Sequence, residues 1–444
     1  MTVLGAARSG LAAALLLDDK GSNVFVSDSG LMSEEVRLAL QERDISFEDQ
    51  GHSSRVFEAE FLVVSPGVPA NSDVLQMAAD QEIKIFSELE FASWFCTAPM
   101  VAVTGSNGKT TTTTLIGSIL KEAGRTTHVA GNIGLPFSKI VSTVKEEDVV
   151  VLEVSSFQLE HISFFRPHVA VILNITPDHM DRYNHDLDAY AECKYGITSN
   201  QSSDDCLIYN MDDPWIFNRV KQDNGLQRPK KLGITLSNGP EAAGFMADGS
   251  LTLNTFATQE VLMHQNELPI RGRHNLYNSL AASVAARMME VGSDTVRNSL
   301  STFEGIKHRL EFVREVDGVR YVNDSKATNV NALWYALESF HEPLVLIAGG
   351  RDKGNDYSSV VPLVTERVRM LISIGESAEE VDAQLGPYAE TRIIAESLED
   401  AVQYASNLSK QGETVLLSPA CSSFDMFANF EARGDAFKRL IANL

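Results

Sequence analysis

The sequence predicts a doubly wound α/β fold in about three domains, and three observations support this. The chain has 444 residues, of which 44% are hydrophobic and 22% are charged, as in ordinary globular domains. Short apolar runs alternate with helical patterns, as expected for parallel strands that are buried on both faces. The residues that directly follow these runs are small or polar, and ligands bind at this position in such sheets.

The apolar runs are predicted to be buried strands, joined by right-handed crossover helices. They are Val24 to Val26, Phe61 to Val64, Met100 to Val103, Val149 to Val154, Val169 to Leu173, Leu344 to Ala348, Met370 to Ile374 and Thr414 to Leu417. The apolar run Leu11 to Leu17 is followed at once by charged residues, so it is predicted to be the first crossover helix and not a signal peptide. Between about 232 and 270, Asn and Gly turns separate strand-like patterns and predict a small β addition.

Changes in pattern divide the chain into three predicted domains. The helical stretch Glu88 to Phe95, followed by Ala98 and Pro99, leads into a second domain, and a helical pattern ends near Phe303. We therefore expect domains at 1–87, 88–304 and 305–444.

Charge and cysteine usage exclude several classes of protein. The net charge of −23 disfavours attraction to nucleic acids and to anionic membranes. No segment approaches the roughly 20 apolar residues of a membrane span. The four cysteines are far apart and form no C-x-x-C pair, so neither a disulfide framework nor a zinc site is indicated. We expect a cytoplasmic protein.

The strongest motif is a phosphate-binding loop at Gly105, Ser106, Asn107, Gly108, Lys109 and Thr110, with Thr111 next to it. It follows a predicted strand and opens a helix, whose N-terminus favours an anion. Lys109 would bridge the β- and γ-phosphates of ATP, and Thr110 would hold Mg²⁺ through its hydroxyl. The usual spacing would put glycine at position 103, where this chain has Val103, so the loop is a shortened variant. A chance match is the alternative.

Possible metal ligands follow the next two strands. Glu153 ends a buried strand, where a carboxylate is costly unless it meets a cation such as Mg²⁺; a solvated strand end is the alternative. His179 lies in the loop after the following strand, and Lys194 lies one helix later. Either residue alone would be assigned a structural or solvent-facing role. Together, on the edge that carries a phosphate loop, they indicate a catalytic site.

These motifs resemble those of the Mur ligase family. The loop is similar to T-G-[ST]-N-G-K-[ST], which folylpolyglutamate synthases share, and residues 153–159 are similar to E-[LV]-S-S-F-Q-L. Residues 174–182 are similar to N-[IV]-x-x-D-H-[ML]-D-R, and Lys194 matches a lysine that CO₂ carbamylates in the family. The resemblance implies Rossmann-like N- and C-terminal domains flanking a central P-loop ATPase-like domain. It also implies two Mg²⁺ ions and a carbamate of Lys194 that positions the second ion.

The resemblance continues toward the C-terminus. Asn275 and Asn278 match the family's G-x-H-N-x-x-N and would contact the adenine of ATP, although an ordinary helix N-terminus is the alternative reading of this segment. Arg309 and Asp324 would meet the nucleotide, and Lys326 and Thr328 would reach the reacting carboxylate and the incoming amino acid. Because these residues lie in another domain than the phosphate loop, the site is expected to assemble on domain closure. The D-glutamate site is implied to comprise Thr328, Lys353, Ser423, Phe424 and Phe430.

The N-terminal segment carries a weaker G-x-x-x-x-G pattern, from Gly5 to Gly10, which by itself suggests a dinucleotide fold. The family's corresponding loop binds the UDP of the substrate, and here Ala7 replaces its middle glycine. The residues expected to bind the UDP substrate are Arg8, Ser9, Asp28, Ser29, Ser65, Pro66, Gly67, Asn132, Ser155 and Gln158.

The resemblance covers nearly the whole chain and implies an ATP-dependent ligase, expected to be a monomer. It would phosphorylate the carboxylate of UDP-N-acetylmuramoyl-L-alanine and join D-glutamate to it, with Lys109, His179, Lys194 and Lys326 as catalytic residues. A sister ligase with another amino-acid or folate substrate is one alternative. A nucleotide-binding module without ligase activity is the other.

Overall fold

The structure is a computed structural model that describes residues 1–223, 225, 228–256, 259–352 and 354–444. The described residues form three sheets, each with helices between its strands. These residues divide into two compact units. The first comprises Met1–Glu267 and Tyr277–Thr302, and the second comprises Leu268–Leu276 and Phe303–Leu444. No helix in the described part is long and apolar enough to cross a membrane.

The first sheet is parallel and lies within residues 2–87. Its strands are β1 (Thr2–Leu4), β2 (Phe25–Ser27), β3 (Ser46–Glu48), β4 (Phe61–Val64) and β5 (Lys84–Ser87). Helices α1 (Arg8–Asp19), α2 (Glu34–Gln41) and α3 (Asp73–Asp80) join the strands, and α4 (Glu88–Ser93) follows them. The strand order is β3-β2-β1-β4-β5. The strands β2 and β3 are added on one side of β1 and β4 and β5 on the other, so the strand order reverses at β1. A ligand crevice is expected at the carboxyl end of β1.

The second sheet carries the phosphate loop. Its parallel strands are β6 (Met100–Thr104), β7 (Thr127–Gly131), β8 (Val149–Glu153), β9 (Val169–Ile172), β10 (Cys206–Asn210), β11 (Lys230–Thr235) and β12 (Gly244–Ala247). Two antiparallel strands extend the sheet, β13 (Ser250–Asn254) and β14 (Gln259–His264), as the predicted β addition requires. The order β14-β13-β12-β11-β10-β9-β6-β8-β7 puts β6 between β8 and β9. The ends of these three strands therefore deliver their loops to one edge.

Helices cover this second sheet. They are α5 (Lys109–Glu122), α6 (Phe137–Ile140), α7 (Ser156–Leu159), α8 (Leu187–Tyr195), α9 (Pro214–Gln222), α10 (Arg273–Met288) and α11 (Ser293–Thr302). One continuous apolar core links the first two sheets, from Val3 and Leu16 to Phe137 and Ile172. Burial of this core stabilises the first unit.

The third sheet belongs to the second unit. Its strands are β15 (Glu311–Val316), β16 (Val319–Asn323), β17 (Leu344–Gly349), β18 (Val368–Ile374), β19 (Thr391–Ile394) and β20 (Thr414–Leu417). The helices are α12 (Val330–Glu338), α13 (Val361–Arg367), α14 (Ala378–Leu385), α15 (Leu398–Leu408) and α16 (Phe430–Ala442). The order is β15-β16-β20-β17-β18-β19, with only β15 antiparallel to its neighbour in the described residues. The loops that follow β16, β20 and β17 thus share one edge.

The predicted fold class is confirmed. Each run that was predicted to be a strand forms one, within one or two residues of its expected ends. The apolar run Leu11 to Leu17 lies within α1, as expected. The domain boundaries near 87 and 304 stay predictions.

Candidate functional site

The phosphate loop connects β6 to α5 and depends on two glycines in left-handed backbone conformations. Gly105 has φ +147° and Gly108 has φ +83°, and only glycine adopts these angles without strain. A Cβ on Gly108 would lie 2.3 Å from Oδ1 of Asn278. Asn278 thus packs directly against the phosphate loop, and Thr112 on α5 also donates to its Oδ1 at 3.2 Å.

The loop after β9 braces the phosphate loop. The Asn107 backbone N–H donates to Oδ1 of Asn174 at 2.8 Å, and Nδ2 of Asn174 donates to the Asn107 carbonyl at 3.0 Å. The Ser106 hydroxyl donates to the Thr176 carbonyl at 2.9 Å, and it accepts from the Thr176 backbone N–H at the same distance. These reciprocal bonds fix the conformation of the phosphate loop against the loop after β9.

Lys109 and Lys194 converge on one carbonyl. Their Nζ atoms donate to the Gly105 oxygen at 2.8 Å and 2.9 Å, although the two residues are 85 positions apart. Lys194 is buried, with 1% of its surface exposed. Burial, assisted by the nearby Lys109 cation, holds the pKa of Lys194 well below its usual range. The environment of Lys194 therefore favours a neutral amine.

Glu153 presents an unsatisfied oxygen to this edge. Its side chain is buried, and Oε1 accepts from Nδ2 of Asn132 at 2.7 Å. Oε2 is also buried and has no hydrogen-bond partner in the described part of the chain. Gly131, with φ +104°, lets β7 approach here, because a Cβ would lie 2.3 Å from the Glu153 carbonyl oxygen. A buried carboxylate oxygen without a donor suits a hard cation such as Mg²⁺.

Thr110, the second residue of α5, is partly buried. The described residues contain no group of three His, Cys, Asp or Glu side chains suited to a metal. Of the four metal ligands predicted from the sequence, only Glu153 and His179 are of these four residue types. The other two predicted ligands are the Thr110 hydroxyl and a carbamylated Lys194.

His179 lies in the loop after β9 and has φ +55°. Its ring packs edge-on against Phe157, with 4.9 Å between centroids, and its Nε2 lies 3.7 Å from Asp178. Arg182 in the same loop pairs with both oxygens of Glu160, and its guanidinium lies 4.3 Å from the Phe157 ring centroid. Arg182 therefore anchors the loop that carries His179.

The loop between β1 and α1 is held by two residues that are predicted to bind the UDP substrate. The Asp28 carboxylate accepts from the Ala6 backbone N–H at 2.6 Å and from that of Gly30 at 2.8 Å. The Ser65 hydroxyl donates to the Gly5 carbonyl at 2.9 Å. Asp28 and Ser65 therefore shape this loop from neighbouring strands.

The other residues predicted to bind the UDP substrate fall near two sheet edges. Arg8 donates to the Gly134 carbonyl, next to Asn132. Ser155 and Gln158 form a capping box that starts α7, directly after Glu153 and its strand. The remaining predicted residues, Ser9, Ser29, Pro66 and Gly67, are partly buried or exposed at the ends of β1, β2 and β4.

In the second unit, Asp324 is the central buried acid. It accepts from the Ser418 hydroxyl at 2.9 Å and from the Leu310 backbone N–H at 3.2 Å. Burial raises the pKa of Asp324 to about 6, and the charge of Arg309 opposes this shift. Asn275, also assigned to this unit, donates through Nδ2 to the Arg271 carbonyl at 2.8 Å.

The predicted D-glutamate residues follow β16 and β20. Lys326 lies with Nζ 4.5 Å from the Phe430 ring centroid, and Thr328 is partly buried. Ser423 is buried, whereas Phe424 is 62% exposed. Lys353 lies outside the described residues. Lys326, predicted to be catalytic, is therefore in contact with Phe430, predicted to bind D-glutamate.

Two arginines were missed by sequence reasoning. Arg182 belongs to the motif at residues 174–182, but no role was predicted for it from the sequence. Its Nη1 donates to the Val68 carbonyl at 3.0 Å, next to Ser65, Pro66 and Gly67, which are predicted to bind the UDP substrate. Arg433 has no exposed surface and bonds to the loops after β16 and β20. A signal for Arg433 existed, since it shares the apolar face of α16 with Phe430, Phe437 and Ile441.

Comparisons with known proteins agree along the chain. Residues 2–74 match a family model described as the MurD N-terminal domain, residues 103–286 match the Mur ligase middle domain, and residues 308–421 match the Mur ligase, glutamate ligase domain. The UDP-N-acetylmuramoylalanine--D-glutamate ligase of Salinibacter ruber is 52% identical, with 100% of this chain and 97% of the relative covered. The enzyme of the same name from Chloroherpeton thalassium is 44% identical at the same coverage.

Solved structures share the fold at low sequence identity. The MurF ligase of Thermotoga maritima in complex with ADP is 17% identical, with a TM-score of 0.64, and covers 95% of this chain and 96% of its own. The UDP-N-acetylmuramate-alanine ligase MurC of Thermotoga maritima is 17% identical with a TM-score of 0.60, covering 100% of this chain and 99% of its own.

Proposed function

The chain belongs to the Mur ligase family, and from this premise we propose that it joins D-glutamate to UDP-N-acetylmuramoyl-L-alanine in an ATP-dependent reaction. This makes it an acid–D-amino-acid ligase of peptidoglycan precursor synthesis, a pathway on which cell shape and cell division depend. One observation carries the proposal beyond family membership. The phosphate loop after β6 and the buried Glu153 at the end of β8 lie on neighbouring parallel strands, and the buried Lys194 on α8 donates to the Gly105 carbonyl of that loop at 2.9 Å.

The proposed reaction has two steps. The terminal carboxylate of the UDP substrate attacks the γ-phosphorus of ATP, which gives an acyl phosphate and ADP. The amine of D-glutamate then attacks the acyl carbon, loses its proton, and the tetrahedral intermediate collapses to an amide and phosphate. Phosphoryl transfer of this kind depends mainly on positioning and on charge stabilisation.

The residues of the first unit are proposed to stabilise negative charge. Lys109 would contact the β- and γ-phosphates of ATP, and the N–H groups at the start of α5, from Gly108 to Thr111, would donate to their oxygens. His179 would stabilise charge that develops on the transferred group. Asn278, which packs against Gly108, and Asn275 would contact the adenine.

Mg²⁺ would be held by Thr110, Glu153, His179 and carbamylated Lys194, in two sites. When bound, it neutralises phosphate charge and orients the reacting oxygens. The buried, unpartnered Oε2 of Glu153 supports this assignment.

Carbamylation of Lys194 is supported by its environment. An amine adds CO₂ only when it is neutral, and burial beside Lys109 lowers the pKa of Lys194. The resulting carbamate would place a negative charge near the Lys109 cation. The modification would thus add an attraction that the neutral amine lacks.

The second unit is proposed to bind the nucleotide and the amino acid. Arg309 and Asp324 would contact ATP, and Lys326 would contact the reacting carboxylate. Thr328, Ser423, Phe424, Phe430 and Lys353 would bind D-glutamate, whose carboxylates suit hydroxyl and ammonium donors. The UDP portion would lie at the ends of β1, β2 and β4, near Asp28 and Ser65.

The proposed setting is the cytoplasm, with the protein acting as a monomer. All four cysteines are free thiols, as a reducing compartment favours. The net charge of −23 opposes binding to nucleic acids and to anionic membranes.

A substrate panel tests the proposal. The protein is incubated with ATP, Mg²⁺ and UDP-N-acetylmuramoyl-L-alanine, and phosphate release is measured with D-glutamate, L-glutamate, L-lysine, diaminopimelate and glycine in turn. Release only with D-glutamate, together with the mass of the expected amide, is the predicted result. Release with a different amino acid would identify a sister ligase, and no ADP formation with any combination would identify a non-catalytic nucleotide-binding module.

A further inference from the structure

Arg433 on α16 joins the two loops that carry the proposed D-glutamate residues. Its Nε donates to the Ser325 hydroxyl at 3.0 Å, and its Nη2 donates to the carbonyls of Ser325 at 2.9 Å and Cys421 at 3.1 Å. Its Nη1 donates to the Ser422 carbonyl at 3.4 Å. Ser325 precedes Lys326 after β16, whereas Cys421 and Ser422 belong to the loop after β20.

Among the described residues, the charge of Arg433 has no ion-pair partner. The side chain has no exposed surface, yet no carboxylate in the described part of the chain lies within 4.0 Å of its guanidinium. Asp324 and Asp425 act on it only from a longer distance. Burial lowers the pKa of Arg433 to about 10, so the cation persists at neutral pH. Burying an unpaired cation is costly, and an anionic ligand nearby would offset that cost.

The guanidinium also orients the peptides of both loops. In a trans peptide the carbonyl and the next N–H point in opposite directions, and no cis peptide occurs in the described residues. The Ser325 carbonyl faces Arg433, and the Lys326 N–H on the other side donates to the His308 carbonyl at 3.0 Å. The Cys421 carbonyl also faces Arg433, and the Ser422 N–H donates to the Arg351 carbonyl at 3.2 Å.

We propose that Arg433 is a positioning residue for D-glutamate. It fixes the loop that contains Lys326 against the loop that contains Ser423, and it supplies a fixed positive charge next to both loops. The inference rests on the proposed function, because it requires these loops to bind a dianionic amino acid. D-glutamate carries two carboxylates and one ammonium, so a fixed positive charge near its site strengthens binding. Arg433 itself is enclosed by protein groups and does not need to touch the substrate.

Arg367 offers a matched control for a purely structural role. It also donates to three backbone carbonyls, those of Leu337, Glu338 and Phe340. These carbonyls precede β17, and Arg367 itself precedes β18. This arginine therefore bonds to backbone at the amino ends of strands in the same sheet. Arg433 bonds to backbone at the carboxyl ends of β16 and β20, where the proposed substrate loops lie.

The test compares R433M and R433K with R367M and R367K in the full-length protein. For each variant kcat, the three substrate KM values and Tm are measured. R433M is expected to raise the KM for D-glutamate by about tenfold or more, with the KM values for ATP and the UDP substrate changed by less than about twofold. R433K keeps the charge with fewer donors, so its KM for D-glutamate should lie between those of R433M and wild type. R367M should lower Tm and leave all three KM values near wild type.

Two results would overturn the inference: an unchanged KM for D-glutamate in folded R433M, or an equal rise in all three KM values. If R433M does not fold, R433K decides by the same criterion. Failure of the proposed function itself would be visible first in the wild type, which would then release phosphate with another amino acid or with none. In that case the charge role of Arg433 toward D-glutamate is refuted as well.

Discussion

Four buried ionisable side chains belong to the proposed functional sites of this protein. Glu153, Lys194, Asp324 and Arg433 are each at most 2% exposed, although a buried charge destabilises a fold unless something compensates for it. Within the described residues, the partial compensation comes in each case from backbone, amide or hydroxyl groups and not from a close ion pair. Such residues are retained when a ligand or a reaction needs them.

Glu153→Gln should separate catalysis from stability. The substitution removes the anionic oxygen proposed to bind Mg²⁺ but keeps the side-chain shape, so we expect kcat to fall by about 100-fold or more while Tm stays equal or rises. Steady-state kinetics and thermal melting measure both effects.

Glu88→Gln is the matched control for this substitution. Glu88 is equally buried, its Oε1 accepts from Ser138 at 2.6 Å, and its Oε2 is likewise without a partner in the described residues. Because the Glu88 carboxylate on α4 bonds to Ser138 on α6 and not to the phosphate loop, its variant should keep kcat within about twofold of wild type. Wild-type turnover in the Glu153 variant would refute the metal assignment.

Lys194→Ala should abolish most turnover, with a fall of about 100-fold or more, because the carbamate oxygens are lost. Short carboxylates such as formate or acetate should restore part of this activity by occupying the vacated space. In the wild type, carbon-13 bicarbonate should give a carbamate signal in NMR spectra.

Lys221→Ala serves as the control, since Lys221 is exposed on α9 and stacks on Phe217 at 4.3 Å. It should behave as wild type in every assay. Unchanged turnover in the Lys194 variant, or indifference to both bicarbonate and carboxylates, would refute the carbamate.

At the scale of elements, the loops after neighbouring strands support one another. The loop after β9 bonds reciprocally to the phosphate loop after β6, and Asn132 after β7 holds Glu153 at the end of β8. Each loop therefore depends on the strand beside it. A disturbance of one loop should reach the site through its neighbour.

Gly108→Ala tests this dependence at the start of α5. The new methyl group would collide with Asn278 2.3 Å away and would also strain a backbone with φ +83°. We expect the KM for ATP to rise by about tenfold or more, with the KM for the UDP substrate little changed.

Gly124→Ala isolates the strain from the collision. Gly124 follows the same helix with φ +78°, and a Cβ there would meet nothing within 4 Å. Its variant should lose a few degrees of Tm and keep the KM for ATP. Equal KM values for ATP in both variants would show that contact with Asn278 is irrelevant.

At the scale of the molecule, the described residues form two compact units, and residues of the proposed sites occur in both. The phosphate loop, Glu153 and Lys194 lie in the first unit, and Asp324, Lys326 and Arg433 lie in the second. Their joint action on domain closure stays a prediction.

The net charge of −23 predicts a response of the whole chain to salt. Like charges repel in the folded state, and the screening length falls from about 30 Å at 0.01 M to about 10 Å at 0.1 M salt. Tm should therefore rise by several degrees across this range. Near the isoelectric point of about 4.8 the rise should disappear, and a fall of Tm with salt at neutral pH would contradict this explanation.

The sequence by itself determined the α/β class, the positions of eight buried strands and the position of the predicted phosphate loop. These features are local: apolar runs, glycines and the lysine after them act within a few residues. Sequence reasoning also placed Glu153 and Lys194 near one sheet edge, because the carboxyl ends of parallel strands coincide.

Only the tertiary structure decided which side chains meet. The contact of Lys194 with Gly105, the bond from Asn132 to Glu153 and the burial of Arg433 between two loops depend on strand order and on side-chain direction. Residues far apart in the chain become neighbours only after the sheet has formed, and no local pattern records that distance.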